Sequence, residues 1–211
     1  MRLAPLVLCF LLAAPAFAQD AATADVPVDP PAPWLAPPGT YELDPAATDV
    51  TMTARRFLMS PIRAEFATVN GALTVTIEAP DASALTVGIA AAELRANGPI
   101  VESMLKGADF LNVEVFPTID FIVEGFTVSD APSALDGELS MAGVSHPASF
   151  ATQLESYSMD PETEALRLHF ISEGELDRRD WGMTGYRGIV SDRVRIRIEA
   201  DFVRTDEQAA D

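Results

Sequence analysis

From residue 40 onward, apolar and polar residues alternate along most of the chain. Alternation over four to eight residues is typical of β-strands that bury one face and expose the other. Segments rich in Gly, Pro, Asn and Asp separate the runs and predict turns, for example at Asn70-Gly71 and Gly143. About eight strands joined mostly by short turns predict an all-β fold, an antiparallel sandwich or barrel. The apolar positions of the runs are Val50, Met52 and Ala54; Leu73, Val75 and Ile77; Leu85, Val87, Ile89 and Ala91; Ile119, Phe121 and Val123; Leu135, Leu139 and Met141; Phe150, Thr152 and Leu154; Leu166, Leu168 and Phe170; and Val194, Ile196, Ile198, Ala200 and Phe202.

Two of the predicted strands are long, over residues 162–176 and 190–204. At about 3.3 Å per residue they would make a barrel roughly 35–40 Å tall before tilt. The lumen of an eight-stranded barrel is either filled by side chains or wide enough for one small ligand. The sequence leaves both interpretations open, a dry core or a slot for an elongated apolar molecule.

One segment, residues 97–110, follows helical spacing instead. Asn97 can cap the start of a helix, Pro99 suits its first turn and Gly107 suits its end. We therefore predict one short helix that covers an end or a side of the barrel. Its apolar positions are Ile100, Val101, Met104, Leu105 and Ala108.

The segment RRDWGMTGYRGIVSD, residues 178–192, lies between the last two alternating runs. We interpret it as a long connection that closes one barrel end, in which glycines allow tight reversals and Asp180 accepts hydrogen bonds from backbone amides. Trp181 and Met183 would fill apolar space. The alternative is that Trp181, Met183 or Tyr186 lines the mouth of the lumen and contacts a ligand.

The N-terminus predicts export. A positive start at Arg2, an apolar run over residues 3–12 and small residues ending at Ala18 are typical of a cleaved signal peptide, here residues 1–18. Cys9 would be lost with it, so the mature chain would contain no cysteine. Residues 19–39 contain six prolines and predict a disordered linker. We expect a single barrel domain at 40–204, a disordered tail at 205–211 and a periplasmic location.

The charge of the chain limits its partners. With 32 acidic residues against 14 basic ones, the formal net charge is −18. The protein as a whole should repel nucleic acid and anionic headgroups. No segment of the predicted mature chain is long and apolar enough for stable membrane insertion.

Candidate catalytic chemistry is sparse. His146 and His169 are far apart and lack a metal-ligand spacing, and neither a phosphate-binding loop nor a nucleophile motif is present. Arg193, Arg195 and Arg197 alternate along one strand face, where pairing with acidic residues is favoured over anion binding. We therefore predict no enzyme activity, no cofactor, no metal site and no catalytic residue.

Five motifs in unbroken order resemble the YceI-like family of polyisoprenoid-binding proteins, over roughly residues 40–204. They are Tyr41-Glu42-Leu43-Asp44-Pro45; Glu65-Phe66 with Asn70-Gly71-Ala72-Leu73; residues 104–113 with Phe116-Pro117-Thr118-Ile119-Asp120-Phe121; residues 137–144; and Arg179-Asp180-Trp181-Gly182-Met183 with Val190-Ser191-Asp192 and Val194. The resemblance implies a lipocalin-like antiparallel barrel that is exported in Gram-negative bacteria and holds a polyprenyl chain or an isoprenoid quinone. Ala47-Thr48 and Val101-Glu102 stand where relatives often have His-Ser and Arg-Asp pairs, so the preferred headgroup could differ here.

The leading hypothesis is thus a carrier of an elongated isoprenoid. Its alternatives are an enzyme acting on a lipid or quinone, which needs His146, His169 or Asp180 in the lumen, and a partner-binding module with a filled core. A homodimer and a membrane redox protein are left open as partners. The predicted ligand-binding residues are Val50, Met52, Phe66, Leu73, Met104, Leu105, Phe110, Phe116, Phe121, Leu139, Phe150, Leu168, Trp181, Met183 and Ile196.

Overall fold

The computed structural model describes residues 36–76, 82–128, 131–160 and 163–205. These residues all belong to one compact unit. The predicted signal peptide, the first part of the Pro-rich segment, Ile77 and the tail from residue 206 lie outside the described residues. The last residues of the Pro-rich segment pack on the barrel, because Ala36 is buried and the Tyr41 hydroxyl donates to the Pro37 carbonyl at 2.7 Å.

The described residues form eleven β-strands and one α-helix. The helix, α1, is Pro99–Lys106. The strands are β1 (Gly39–Leu43), β2 (Asp49–Arg56), β3 (Met59–Phe66), β4 (Val69–Val75), β5 (Ala84–Ala90), β6 (Leu94–Ala96), β7 (Thr118–Glu124), β8 (Ser133–Met141), β9 (Val144–Met159), β10 (Leu166–Asp177) and β11 (Val190–Arg204).

The strands close into an antiparallel barrel. Eight of them follow one another in the order β1-β4-β5-β7-β8-β9-β10-β11, and β11 returns to pair with β1, where Leu43 lies opposite Phe202. The predicted all-β barrel is confirmed and the sandwich alternative is wrong. Strands β2, β3 and β6 extend the wall at one end, since β2 continues from β1 along the first part of β11.

Alternation decides which side chains enter the barrel. In β7, Ile119, Phe121 and Val123 are buried and the four residues between and beside them are exposed. Successive side chains of a strand point to opposite faces, so a slip of one residue would reverse the whole pattern. The same period places Phe170 and Ser172 of β10 inside the barrel and Ile171, between them, on the other face.

One local prediction fails for a tertiary reason, and one strand was not predicted. Asn70-Gly71 is not a turn but lies within β4, where a Cβ on Gly71 would come within 2.9 Å of the Thr86 carbonyl oxygen on β5. This glycine therefore serves a close approach of two strands. Strand β3 was not among the predicted strands, although buried Ile62 and Ala64 alternate with exposed residues in it.

The helix begins and ends near its predicted bounds, but its predicted cap is wrong. Gly98 precedes α1 with φ +149°, in a region that favours glycine. Asn97 instead pairs with β3, because its side-chain amide donates to the Pro61 carbonyl at 2.9 Å and accepts from the Arg63 amide at 3.1 Å. Gly107 ends the helix as predicted, and its amide bonds the Met104 carbonyl.

Residues 178–189 connect β10 to β11, so the predicted connection exists but ends three residues before its predicted bound, 192. They begin with a 3₁₀ turn, Arg178–Trp181. Its cap is Asp177, which accepts a hydrogen bond from the Arg179 amide, so Asp180 does not have the predicted role. The side chain of Arg179 also bonds Asp177 and lowers the pKa of that carboxyl to about 2.

The three alternating arginines of β11 pair with acidic residues on the outer wall, as predicted. Arg193 lies 3.1 Å and Arg195 3.6 Å from Glu175 of β10, while Arg197 contacts Glu173 and Glu199. These exposed pairs neutralise the wall locally and contribute little stability each.

Arg167 forms ion pairs with three other chain segments near the end of β11. Its Nη1 donates to Asp44 at 2.7 Å and to Asp201 at 3.0 Å, and its Nη2 donates to Asp160 at 2.9 Å. The hydrogen bond from Arg167 lowers the pKa of the Asp44 carboxyl below its ordinary 3.8. The bonds to Asp44 and Asp160 raise the pKa of Arg167.

We expect Arg167→Gln to lower the free energy of unfolding at neutral pH, and the difference from the wild type to shrink in acid. A depressed carboxyl pKa stabilises the folded protein fully above the unfolded-state value, here 3.8, and this contribution is lost as pH falls through the lower folded value. Urea unfolding at about pH 7, 5 and 3 measures the difference. Arg55→Gln, which removes an arginine without an ion pair among the described residues, is the control. A difference that stays constant below pH 4 would contradict the assignment.

Candidate ligand-binding lumen

The barrel interior contains two chambers. The helix-side chamber has a volume of about 110 Å³ and is closed by α1 and the segments around it. The far chamber, at the other end of the lumen, has a volume of about 80 Å³. One water molecule needs roughly 10–15 Å³ of such space, so neither chamber is an ordinary packing defect. The lumen is partly filled by side chains and partly empty.

Four side chains line both chambers, and the chambers meet there. These residues, Val50, Phe121, Phe150 and Ile198, define the waist of the lumen. The rings of Phe121 and Phe150 pack edge to face with centroids 5.2 Å apart. Movement of these side chains would join the two chambers into one slot.

Two inward-facing glycines make room for the waist rings. A Cβ on Gly174 would lie 2.6 Å from the Phe150 ring, and a Cβ on Gly137 would lie 2.8 Å from the Phe121 ring. Side-chain atoms do not approach a Cβ this closely without displacement. Both glycines were available as signals in the sequence, because Gly inside a strand pattern indicates close approach, but their part in the lumen was not predicted.

The two chambers differ in polarity. The helix-side lining is apolar except for Arg178. The far chamber includes the hydroxyl groups of Thr152 and Ser172, which lie 2.8 Å apart, and also Thr48, Thr127, Ser133 and Gln153. Ser172 was missed in the sequence, although its spacing from Phe170 places it on the inward face. Phe126 and Val128 follow β7 outside any strand, so no periodicity could reveal them.

Arg178 is 4% exposed and has all five N–H donors bonded within the protein. Its Nη1 donates to the carbonyls of Met183 at 3.1 Å and Gly185 at 2.7 Å, and the guanidinium lies 5.5 Å from the Phe110 ring centroid. The other donors bond the carbonyls of Val190 and Ser191 and the carboxylate of Asp192. Arg178 therefore holds the β10–β11 connection against the helix-side chamber.

Eleven of the fifteen predicted ligand-binding residues line a chamber. Those of the helix-side chamber include Leu105 from α1 and Phe110 from the segment after it, as expected for an end closure. Contact with a ligand remains a prediction for all of them. The eleven are Val50, Met52, Phe66, Leu73, Leu105, Phe110, Phe121, Leu139, Phe150, Met183 and Ile196.

The other four lie elsewhere. Met104 packs against the core from α1 without lining a chamber, and Leu168 is fully buried in filled core. Phe116 is partly exposed and covers Gly143 at the β8–β9 turn, within 2.4 Å of where a Cβ would lie. Trp181 is buried outside both chambers, and its Nε1 donates to the Leu139 carbonyl at 2.8 Å. None of the four lines a chamber, and contact with a ligand stays a prediction for them, because alternation and helical spacing identify a buried face but not the unfilled part of a core.

The groups required for the enzyme alternative are not in the chambers. His169 Nδ1 lies 2.6 Å from Asp201 on the outer face, and His146 packs against Trp181 with ring centroids 5.3 Å apart. Asp180 is exposed. Within the described ranges no His, Asp or Glu lines either chamber, and no three such side chains cluster as a metal site would need. The described part of the chain also contains no helix long and apolar enough to cross a membrane.

The described strands form a closed eight-stranded antiparallel barrel with an apolar, partly unfilled lumen, the class of small barrel that can hold one small ligand. The family model for the YceI-like domain matches residues 41–202, and the chain belongs to the YceI-like family. Protein YceI of Salmonella arizonae and that of Salmonella newport are each 26% identical to it over 139 residues, which cover 66% of this chain and 72% of theirs.

Solved structures share the fold at low identity. BcnA of Burkholderia cenocepacia superposes with a TM-score of 0.62 at 15% identity, over 75% of this chain and 98% of that one. The Campylobacter jejuni YceI protein gives 0.61 at 17% identity, over 72% and 90%. A polyisoprenoid-binding domain from Saccharophagus degradans gives 0.58 at 11% identity, over 78% and 98%.

Proposed function

We propose that this protein is an exported, non-enzymatic carrier that holds an elongated isoprenoid lipid, a polyprenyl chain or an isoprenoid quinone, in its lumen. The observation that carries the proposal is the helix-side chamber. Its lining is apolar except for Arg178, and that guanidinium has no N–H donor left for a ligand. A hydrocarbon chain placed there would leave no protein polar group unsatisfied.

Apolar burial alone is sufficient for useful affinity. Each buried methylene contributes about 0.8 kcal/mol, so three isoprene units, fifteen carbons, contribute about 12 kcal/mol. The lowest estimate of the association cost, about 4 kcal/mol, leaves about 8 kcal/mol. That corresponds to a dissociation constant of about 1 μM. Joining the two chambers at the waist would lengthen the enclosed chain further.

The far chamber supports a ligand with one polar end. The hydroxyls of Thr152 and Ser172 lie 2.8 Å apart, and the Thr152 hydroxyl also donates to the Phe150 carbonyl at 3.5 Å, so the pair retains lone pairs that can accept a hydrogen bond. A polyprenol or quinol hydroxyl would donate to them. In this arrangement the polar end lies in the far chamber and the isoprenoid tail in the helix-side chamber.

The relatives and the N-terminus give further support. One structural relative is a polyisoprenoid-binding domain, and the shared fold makes the same ligand class reasonable here. Residues 1–18 have the pattern of a cleaved signal peptide, which supports a periplasmic location. Protein purified from the periplasm should begin at Gln19.

The test is organic extraction of protein purified from its native host, followed by mass spectrometry of the extract. We expect an isoprenoid lipid in the extract. Delipidated protein should then take up an isoprenoid quinone or a polyprenol more tightly than squalene, a hydrocarbon control without a polar end. Extraction that yields no lipid, together with no uptake of the isoprenoid quinone or the polyprenol, would overturn the proposal.

A further inference from the structure

Two loops form an exposed apolar surface at the helix-side end of the barrel. Phe57, Leu58 and Met59, at the β2–β3 hairpin, are 69%, 89% and 57% exposed, and Tyr186 and Ile189, before β11, are 51% and 49% exposed. The Phe57 amide donates to the Ile189 carbonyl at 2.8 Å, so the loops are joined. We call these five residues the apolar tip.

The backbone of the tip is unusual for such bulky residues. Leu58 has φ +52° and Tyr186 has φ +55°. This left-handed region favours Gly and Asn, and large side chains are rarely found there. Folding alone would favour a small or polar residue at both positions. Tyr186 also packs against the Phe110 ring, with centroids 6.0 Å apart, so it is Leu58, 89% exposed, that points to a role outside the fold.

Arginines without acidic partners border the tip. Arg55, Arg56 and Arg187 form no ion pair with any carboxylate in the described ranges, although the chain has a formal net charge of −18. Arg56 donates only to the Ser60 carbonyl, at 3.2 Å. Arg63, four residues beyond Met59 in β3, also forms no ion pair in these ranges, whereas Arg95, Lys106, Arg167, Arg178, Arg179, Arg193, Arg195 and Arg197 pair with carboxylates.

We propose that the apolar tip docks the helix-side end of the barrel on the surface of an anionic phospholipid bilayer. Apolar side chains would enter the interfacial region while the bordering arginines contact lipid phosphates. An arginine near an anionic membrane strengthens binding by about fivefold. Asp109 lies against Gly185 and reduces the local positive charge, so the dependence on salt should be moderate.

The acidic character of the whole chain does not prevent this docking. Electrostatic repulsion falls off over a Debye length, about 8 Å at physiological ionic strength. The Asp44, Asp160 and Asp201 cluster lies near the opposite end of β11. Asp201 follows Val190 by eleven residues, roughly 36 Å of strand. The two ends of the barrel therefore present different charges to a membrane.

Docking at this end would also place the lumen next to the bilayer. Met183 and Val190, which flank the 186–189 segment, line the helix-side chamber. This part of the inference rests on the proposed function, because it describes how a lipid would enter. The polar end of the ligand would lead into the far chamber and the tail would follow into the helix-side chamber.

The test is flotation of the purified chain with vesicles of phosphatidylcholine, with and without phosphatidylglycerol. Phe57→Ser with Leu58→Asn removes the two most exposed apolar side chains of the tip and places Asn where left-handed backbone tolerates it. We expect partitioning of the wild type to the anionic vesicles, and about a tenfold or greater loss in the double variant. Ile122→Thr, which removes a 47% exposed side chain from the outer wall of β7, should bind as the wild type does.

Three outcomes would overturn the proposal: no binding by the wild type, equal binding by the double variant, or a concentration-dependent dimer that only the double variant loses. The last would show that a second copy of the chain covers the tip. Uptake of a detergent-dispersed isoprenoid quinone separates this inference from the proposed function. This uptake should be unchanged in the double variant. If the wild type shows no uptake, the carrier function is contradicted but the docking is not.

Discussion

Tryptophan at position 52 or 139 should weaken the uptake of an isoprenoid lipid while leaving the barrel folded. Met52 and Leu139 both line the helix-side chamber, so a larger side chain at either position extends into empty space instead of into packed neighbours. We expect Met52→Trp and Leu139→Trp to weaken binding by about tenfold or more, the equivalent of at least about 1.4 kcal/mol. The free energy of unfolding should change by less than about 1 kcal/mol.

Leu168→Trp is the matched control for these two variants. Leu168 is fully buried but lines neither chamber, so added volume must displace its neighbours, at a cost of about 1–3 kcal/mol or more. Urea unfolding and a fluorescence uptake assay on the same preparations give both quantities. If all three variants lose the same stability, the chambers are filled in solution and the carrier function fails with them.

Arg178→Met should destabilise the protein by about 3–5 kcal/mol. The substitution removes five hydrogen bonds from a guanidinium that is 4% exposed and leaves its backbone acceptors without partners. Arg178→Lys should recover only part of the loss, because an ammonium cannot reproduce the planar arrangement of five donors. Hydrogen exchange of the amides in 183–190 should accelerate along with the loss of stability.

The adjacent arginine provides the control. Arg179 is 52% exposed and pairs with Asp177 at the surface, so Arg179→Met should cost less than about 1 kcal/mol. Urea unfolding of the two variants at neutral pH compares them directly. Equal losses would show that burial of Arg178 does not organise the β10–β11 connection.

Much of the fold could be predicted from local patterns. Period-two alternation in β2, β5, β7 and β11 identified their buried faces, because the side-chain geometry of a strand is itself periodic. Pro99 and Gly107 predicted the two ends of the helix, because each residue type has a local preference for its helix terminus. The predictions from Asn97, as a helix cap, and from Asn70-Gly71, as a turn, were wrong. In each case a contact with another strand took the place of the local role. Local preference is a weak term that tertiary packing overrides.

The candidate lumen could be predicted only in part. Alternation selected inward residues such as Met52 and Leu139, but it could not separate them from Leu168, which is equally inward and lies in filled core. Whether space remains between inward side chains depends on how residues far apart in the chain meet, as Phe121 and Phe150 do at the waist. No period along one strand contains that information.

The sequence by itself determined which face is buried in the strands with clear alternation, such as β2, β7 and β11, where one helix interrupts the strands, and that the chain carries a large negative charge. Only the tertiary structure decided that β11 closes on β1, that two chambers remain empty, and that Arg178 is buried while Arg179 is exposed. The physical reason is distance along the chain. Periodicity reflects the geometry of one strand, whereas closure, empty volume and burial of a guanidinium depend on contacts between segments that are distant in sequence.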